Sequence, residues 1–344
     1  MFLPRRDFLF GLGASAAAAL VAGPAGARRR LAPLSIRLAS NQGVENATLQ
    51  QLMADCGFAR DLALDIALVE SRDIAGPLAA LSAGAADLCM ISAFAGVLPA
   101  IEAGQPVRLV GSAMQLPALA VCTARSDVRR LRDLVGKRIG IGERQGLLHL
   151  LMIALLRQSG MGEDSVTFVS VGSNAQVLEA VLAGRVDAGP CGVAGLSDPR
   201  TRVIAGGRLW QALPQFTYQL AYASRDALAH RGEAVARCLA AYTRLFRFVS
   251  DRSSRNAYLA ARKAVGGDSA GGEQVWEFIQ KCQPYGRLPG LSPAHIAYLQ
   301  RLNLSVGLQH RVLPFADVAD PAPAGFARRL LAHPALRAMP RSAA

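Results

Sequence analysis

Apolar and polar positions along this chain switch repeatedly between a two-residue and a helical period. Residues 36–39 form a short apolar run that gives way to a polar turn, and helical spacing follows over 49–56. A second apolar run over 64–69, a helical stretch over 74–83 and a third run over 87–91 complete a unit. Gly84 closes the second helix with a residue suited to a left-handed cap. The same order returns later as a strand over 139–142, a helix over 147–158, a strand over 166–171, a helix over 175–183 closed by Gly184, and a strand from 187 to 189. Strands are also predicted over 107–114, 119–123 and 218–224, and a long helix over 234–249.

The two units align residue by residue. Leu78-Ala79-Ala80-Leu81-Ser82-Ala83-Gly84-Ala85-Ala86-Asp87 matches Leu178-Glu179-Ala180-Val181-Leu182-Ala183-Gly184-Arg185-Val186-Asp187. Ile36 followed by Gln42-Gly43 matches Ile139 followed by Gln145-Gly146, and residues 66–71 match 168–173. Strands alternating with helices imply right-handed crossovers and a parallel sheet covered on both faces. The predicted fold class is therefore α/β, with two doubly wound, mainly parallel sheets in two lobes. Lobe one takes 34–122 plus 223–313 and lobe two takes 123–222, with crossings near 119–125 and 218–224. A Pro- and Ala-rich tail, 314–344, is expected to be peripheral and to hold at most a short helix near 325–332.

Composition changes this picture little. A chain of 344 residues, 51% hydrophobic, can bury two cores, and it is neither a disordered tail nor a disulfide-stapled miniprotein. The net charge of +13 suggests nucleic acid until the 38 basic residues are sorted, because only Lys137, Lys263 and Lys281 are Lys. Scattered arginines without an aromatic-basic motif argue against a nucleic-acid partner. Arg5-Arg6 precede an apolar run over 8–22, and Ala25-Gly26-Ala27 offers small residues for cleavage. Residues 1–27 thus resemble a twin-arginine export signal, cleaved near Ala27, although Pro4 and Phe10 depart from its usual flanks. The apolar run falls short of the roughly 20 residues a spanning helix needs.

In open parallel sheets, ligands bind outside the carboxyl ends of the strands, where helix amino termini favour anions. Lobe one would offer Gln42, Gly43, Asn46, Ser71, Arg72, Ser92 and Phe94 there, and lobe two Arg144, Gln145, Gly146, Ser173, Asn174 and Cys191. Ser173 and Asn174 also suit helix caps, Phe94 suits packing, and Glu45 or Glu143 could meet an amine. The histidines lack metal-ligand spacing, no local catalytic set stands out, and no cofactor is expected. Asp87 and Asp187 occupy equivalent strand starts at the opposite end and are expected to be structural.

Leu131-Arg132-Asp133-Leu134-Val135-Gly136-Lys137-Arg138-Ile139-Gly140-Ile141, Ala183-Gly184-Arg185-Val186-Asp187-Ala188 and Ala83-Gly84-Ala85-Ala86-Asp87-Leu88 carry a resemblance, as does Gly104-Gln105-Pro106-Val107-Arg108-Leu109-Val110. The chain resembles the periplasmic substrate-binding proteins of ABC importers of the nitrate, sulfonate and taurine type, which include binders of thiamine pyrimidine precursors. The resemblance spans 34–249. It implies a type II periplasmic-binding-protein fold, no chemistry, and a monomer in the periplasm that hands a small organic ligand (sulfonate, other organic anion or pyrimidine-like) to an ABC permease. The alternatives are an enzyme of the same fold, akin to the thiamine-pyrimidine synthases, or a periplasmic ligand sensor. One departure stands out, because sulfonate binders often carry Ser where the first helix of lobe two begins and this chain has Gln145-Gly146-Leu147-Leu148-His149. The ligand is then expected to be larger, less charged or more apolar than sulfate-like anions, or Arg72 and Arg144 supply the positive contact instead.

Overall fold

The computed structural model describes residues 31–93, 96–286, 290–333 and 336. The export segment therefore lies outside the described residues, as does most of the last ten. The first unit runs β1 (Leu34–Asn41), α1 (Val44–Asp55), β2 (Leu64–Ser71), α2 (Gly76–Ser82), β3 (Leu88–Ala93), α3 (Val97–Glu102) and β4 (Val107–Ser112). After β5 (Leu119–Thr123), the second runs β6 (Arg138–Ile141), α4 (Leu147–Gln158), β7 (Thr167–Ser170), α5 (Asn174–Leu182), β8 (Gly189–Gly192), β9 (Arg202–Arg208) and α6 (Leu209–Ala212). The strand β10 (Gln219–Ser224) leads to α7 (Arg225–His230), α8 (Gly232–Val249), α9 (Arg255–Ala264), α10 (Ser269–Cys282), α11 (Pro293–Ser305), α12 (Phe315–Val318) and α13 (Ala322–Ala332).

The repeat becomes two sheets of one topology. The first has the order β2-β1-β3-β10-β4, with β2, β1 and β3 parallel and β10 antiparallel to both neighbours. In the second, β7 and β6 are parallel, a parallel bridge from Ile139 to Ala188 links β6 to β8, and β5 runs antiparallel between β8 and β9. Each sheet thus takes its one antiparallel strand from the crossing that leaves the other. The boundaries expected at 122/123 and 222/223 cut through β5 and β10, yet each strand pairs within one sheet only. The crossings lie just before these strands, over 113–118 and 213–218.

A third segment lies beside the first crossing. The Gln115 amide donates to the Pro284 carbonyl at 2.7 Å, Gly286 donates to Ala113 at 3.2 Å, and Gln219 donates to Met114 at 2.8 Å. Tyr285 stacks on Phe246 at 4.7 Å between ring centroids, which ties this junction to α8. Burial runs along nearly the whole of α8, including Arg237 and Arg244. Arg237 donates to the Leu62 carbonyl and to Glu233, while Arg244 pairs with Asp61 at 2.8 Å and lies over Phe58, so neither buried guanidinium stays without an acceptor.

Two expectations need correction. The Pro- and Ala-rich tail is not peripheral: Ala319 bridges to Leu109 of β4, and α13 packs on α8 and buries Ala324, Ala327 and Leu331. Small side chains let the two helices approach closely, so composition alone misleads there. The carboxy-terminal helices also do not return only to lobe one. While α9 packs on α1, α10 packs on the short 3-10 helix Val193–Ser197 after β8, and Arg157 of α4 donates to Ser305 at the end of α11.

The conserved geometry of the repeat sits at the amino-terminal ends of the strands. The Asp87 carboxylate accepts from the Arg37 amide at 2.8 Å and the Arg37 side chain at 2.6 Å, and Arg37 also donates to the Gly84 carbonyl at 2.6 Å. Asp187 accepts from the Arg138 amide at 2.8 Å and its side chain at 3.1 Å, and Arg138 donates to Gly184 at 3.0 Å. Arg37 therefore corresponds to Arg138, which shifts the expected match of Ile36 with Ile139 by two residues. The stretch from the clamp arginine to the glycine before the helix is two residues longer in the second copy, 138–146 against 37–43, and the lengthened turn carries Arg144.

Candidate functional site

Strand register places both carboxyl edges at the junction. Gln219, which follows one crossing, pairs with Ala93 at the end of β3, and Leu119, which follows the other, pairs with Gly192 at the end of β8. Two clusters of loops result, one on each sheet.

On the first sheet, Gln42 donates its amide to the Ser71 carbonyl at 2.9 Å, and Asn46 reaches the Asn41 carbonyl at 2.8 Å. Asn41 in turn donates to the Asp73 carbonyl at 2.7 Å, and the Ser71 hydroxyl accepts from the Asp73 amide at 3.1 Å. Gln42, Gly43, Asn46, Ser71 and Arg72 are thus brought together. Gly43 starts α1 at φ 154° without a side-chain cap, and a Cβ there would meet nothing within 4 Å. Arg72 is exposed and makes no ion pair among the described residues. Phe94 and the side chain of Ser92 lie outside the described residues. Glu45 is already engaged, because Arg262 of α9, itself buried, donates to it at 3.0 Å. That pairing is the main feature the sequence reading missed, and the 217 positions between the partners left no local signal for it.

On the second sheet, Ser173 caps α5 by accepting from the Gln176 amide at 3.3 Å, and the Gln176 side chain accepts from the Ser173 amide at 2.7 Å. Asn174 sits against Gly192, where an added Cβ would lie 2.9 Å from the Asn174 amide nitrogen. Gly142 and Gly172 approach so closely that a Cβ on Gly142 would meet the Gly172 carbonyl at 3.0 Å. Arg144, Gln145 and Gly146 form the adjacent turn, with Arg144 exposed and Gly146 starting α4 without a side-chain cap. Cys191 departs from expectation. It lies inside β8 rather than on a loop, is fully buried opposite Ala120, and a hydrogen bond with Cys122, together with burial, pushes its thiol well up and keeps it protonated. All six cysteines are free thiols.

At the start of α4, where a hydroxyl is absent, a ring nitrogen holds the turn from inside. Gln145 holds φ 63°, and its amide donates to Nδ1 of His149 at 2.9 Å, which places the imidazole proton on Nε2. His149 is buried edge-on to Phe168 at 4.5 Å. Burial, assisted by the charge of Arg144, pushes its pKa down, with Glu163 opposing weakly. The folded state therefore prefers the neutral ring. Its contribution to stability is complete above the unfolded value of about 6.5 and is lost as pH falls below it. Urea unfolding between pH 7.5 and 5.5 should show a decline in stability that is shallower in His149→Leu, and parallel curves would refute the assignment.

The described residues contain no cluster of His, Cys, Asp or Glu able to hold a metal, and no helix among them is long and apolar enough to cross a membrane. A family model described as NMT1/THI5 like matches residues 51–249. The chain belongs to the NMT1/THI5-like family. Among curated proteins none matches in sequence. Among solved structures, this family member is similar to the alkanesulfonate-binding protein SsuA from Xanthomonas axonopodis pv. citri bound to MOPS, with a TM-score of 0.68 and 21% identity over 84% of this chain and 99% of that one. The aliphatic sulphonate binding protein SsuA from Escherichia coli gives 0.71 and 19%, over 84% and 93%. The desulfurization enzyme DSZB gives 0.62 and 15%, over 86% and 99%. These likenesses establish the fold as the two-lobed, type II periplasmic-binding-protein fold.

Proposed function

We propose that this NMT1/THI5-like protein is an extracytoplasmic solute-binding protein that captures a small organic anion between its lobes and delivers it to an ABC permease. The observation that carries the reading is the likeness of the two clusters, although their arginines stand at different places in the repeat, Arg72 after β2 and Arg144 in the turn before α4. Each lobe presents a long helix whose amino end begins at a glycine without a side-chain cap, and beside it an arginine with no ion pair among the described residues. Amide donors and positive charge on both walls suit an anionic group, and contacts to both walls exist together only when the lobes close. The structural likeness to two sulfonate-binding proteins supports a sulfonate as the ligand class, with other organic anions and pyrimidines next. Residues 1–27 fit the same reading as a twin-arginine signal removed near Ala27, which would place a monomeric binding protein in the periplasm.

Isothermal titration of the purified chain with taurine, ethanesulfonate, nitrate and a thiamine pyrimidine precursor tests it. One-to-one binding in the micromolar range, with the ligand recovered unchanged, is the expected result. Chemical turnover of a sulfonate or sulfinate would instead favour the enzyme reading that the likeness to DSZB keeps in view. Failure of all four to bind would remove the anion and pyrimidine assignments together.

A further inference from the structure

The structure holds a cavity apart from the loop residues named above. It has a volume of about 540 Å³ and lies between α10 and the corner where β9 turns into α6. Its apolar wall is built from Val193, Val203, Trp210 and Phe278, and Trp210 meets Phe278 edge-on at 5.1 Å between ring centroids. Two cations stand at this wall, Arg208 from the end of β9 and Lys281 from α10. Lys281 is already paired with Glu277 at 2.8 Å, whereas Arg208 is exposed and makes no ion pair among the described residues. Val193, which follows the carboxyl end of β8, borders both this cavity and the second loop cluster, and none of the cleft residues named above lines it.

We propose that this cavity is a second ligand site, for a small organic anion with a flat aromatic body. The size falls within the range of small-molecule sites, whose usual construction is an apolar lining with few polar groups that fix orientation. The partly buried Trp210 ring, backed by the buried Phe278 ring, offers an aromatic surface, and the Arg208 fork supplies a planar, two-toothed contact for a carboxylate or sulfonate. A small polar anion without an apolar body gains nothing from the wall and leaves the site empty. The cavity thus selects on the part of the ligand that the cleft loops, rich in amides and arginines, do not read.

Trp210 reports on the site directly, because the chain has only two tryptophans. In a Trp276→Phe variant of the full chain, the single indole N–H resonance belongs to Trp210, and p-toluenesulfonate and taurine serve as probes. The expected result is a saturable shift with p-toluenesulfonate, none with taurine, and a loss of about tenfold in p-toluenesulfonate affinity on adding Arg208→Gln. Adding Arg72→Ala and Arg144→Ala should leave the shift in place. Arg208→Lys, which keeps the charge and loses the fork, guards against a folding defect and should bind with intermediate affinity. No shift up to millimolar p-toluenesulfonate, or a shift abolished by the cleft variants and untouched by Arg208→Gln, overturns the proposal.

Discussion

Asp87→Asn is expected to lower the unfolding free energy by about 3 kcal/mol, the larger of two matched losses. Asp87 is 1% exposed and accepts from the Arg37 amide, the Arg37 side chain and Arg231, the last at 3.0 Å. An amide in its place keeps one acceptor, presents a donor towards guanidinium groups, and leaves those cations without their counter-charge. Asp187→Asn removes the equivalent clamp from the second sheet, where Arg138 and Arg125 surround a more accessible carboxylate, and should cost about 2 kcal/mol. Urea unfolding of each variant measures both. At Asp87, burial favours the neutral acid, but the bonds from Arg37 and the charge of Arg231 outweigh it and hold the pKa below its usual value. At Asp187, the Arg138 side chain leads the same downward shift against burial. A depressed carboxyl pKa gives stability that is present above the unfolded value of about 3.9 and is lost as pH falls through the folded one. The wild-type chain should therefore lose stability below about pH 4, with a shallower loss in each variant; a variant slope equal to that of the wild type would show that the clamp does not titrate.

The second large effect concerns the cleft. Arg72→Ala and Arg144→Ala should each weaken anion binding by about tenfold or more, since a charge-assisted contact contributes about 1.5–3 kcal/mol. Both side chains are exposed and without an ion pair among the described residues, so stability should change by less than about 0.5 kcal/mol. Lysine at either position should restore only part of the affinity, because the planar fork is lost. Titration of taurine or ethanesulfonate into the single and double variants decides the matter. Micromolar binding that survives both alanine substitutions would assign the anion to the helix amides alone.

The legible and illegible parts of the site differ in a systematic way. Gln42, Gly43, Ser71, Arg72, Gln145, Gly146 and Ser173 stand at strand-to-helix turns in both readings, because a turn between an apolar run and a helical pattern is written in about ten adjacent residues. Cys191 reads as a loop residue in sequence because the strand that holds it is short and begins two residues later than the pattern predicts. His149 stood in plain view at the start of α4, yet its role depends on the left-handed Gln145 that turns the amide back towards it.

By itself the sequence determined the α/β class, the repeated unit, the resemblance to solute-binding proteins and the acidic positions that clamp each sheet. All of these rest on local periodicity or on one segment resembling another. Only the tertiary structure decided that each sheet takes its antiparallel strand from the opposite crossing, that 284–286 runs beside the first crossing, and that α13 closes over α8. It also decided that Arg262 occupies Glu45 and that α10 walls a second cavity. Those contacts join residues far apart in the chain, and their partners are selected by burial and by the need of each buried charge for a counter-charge, which no local pattern records.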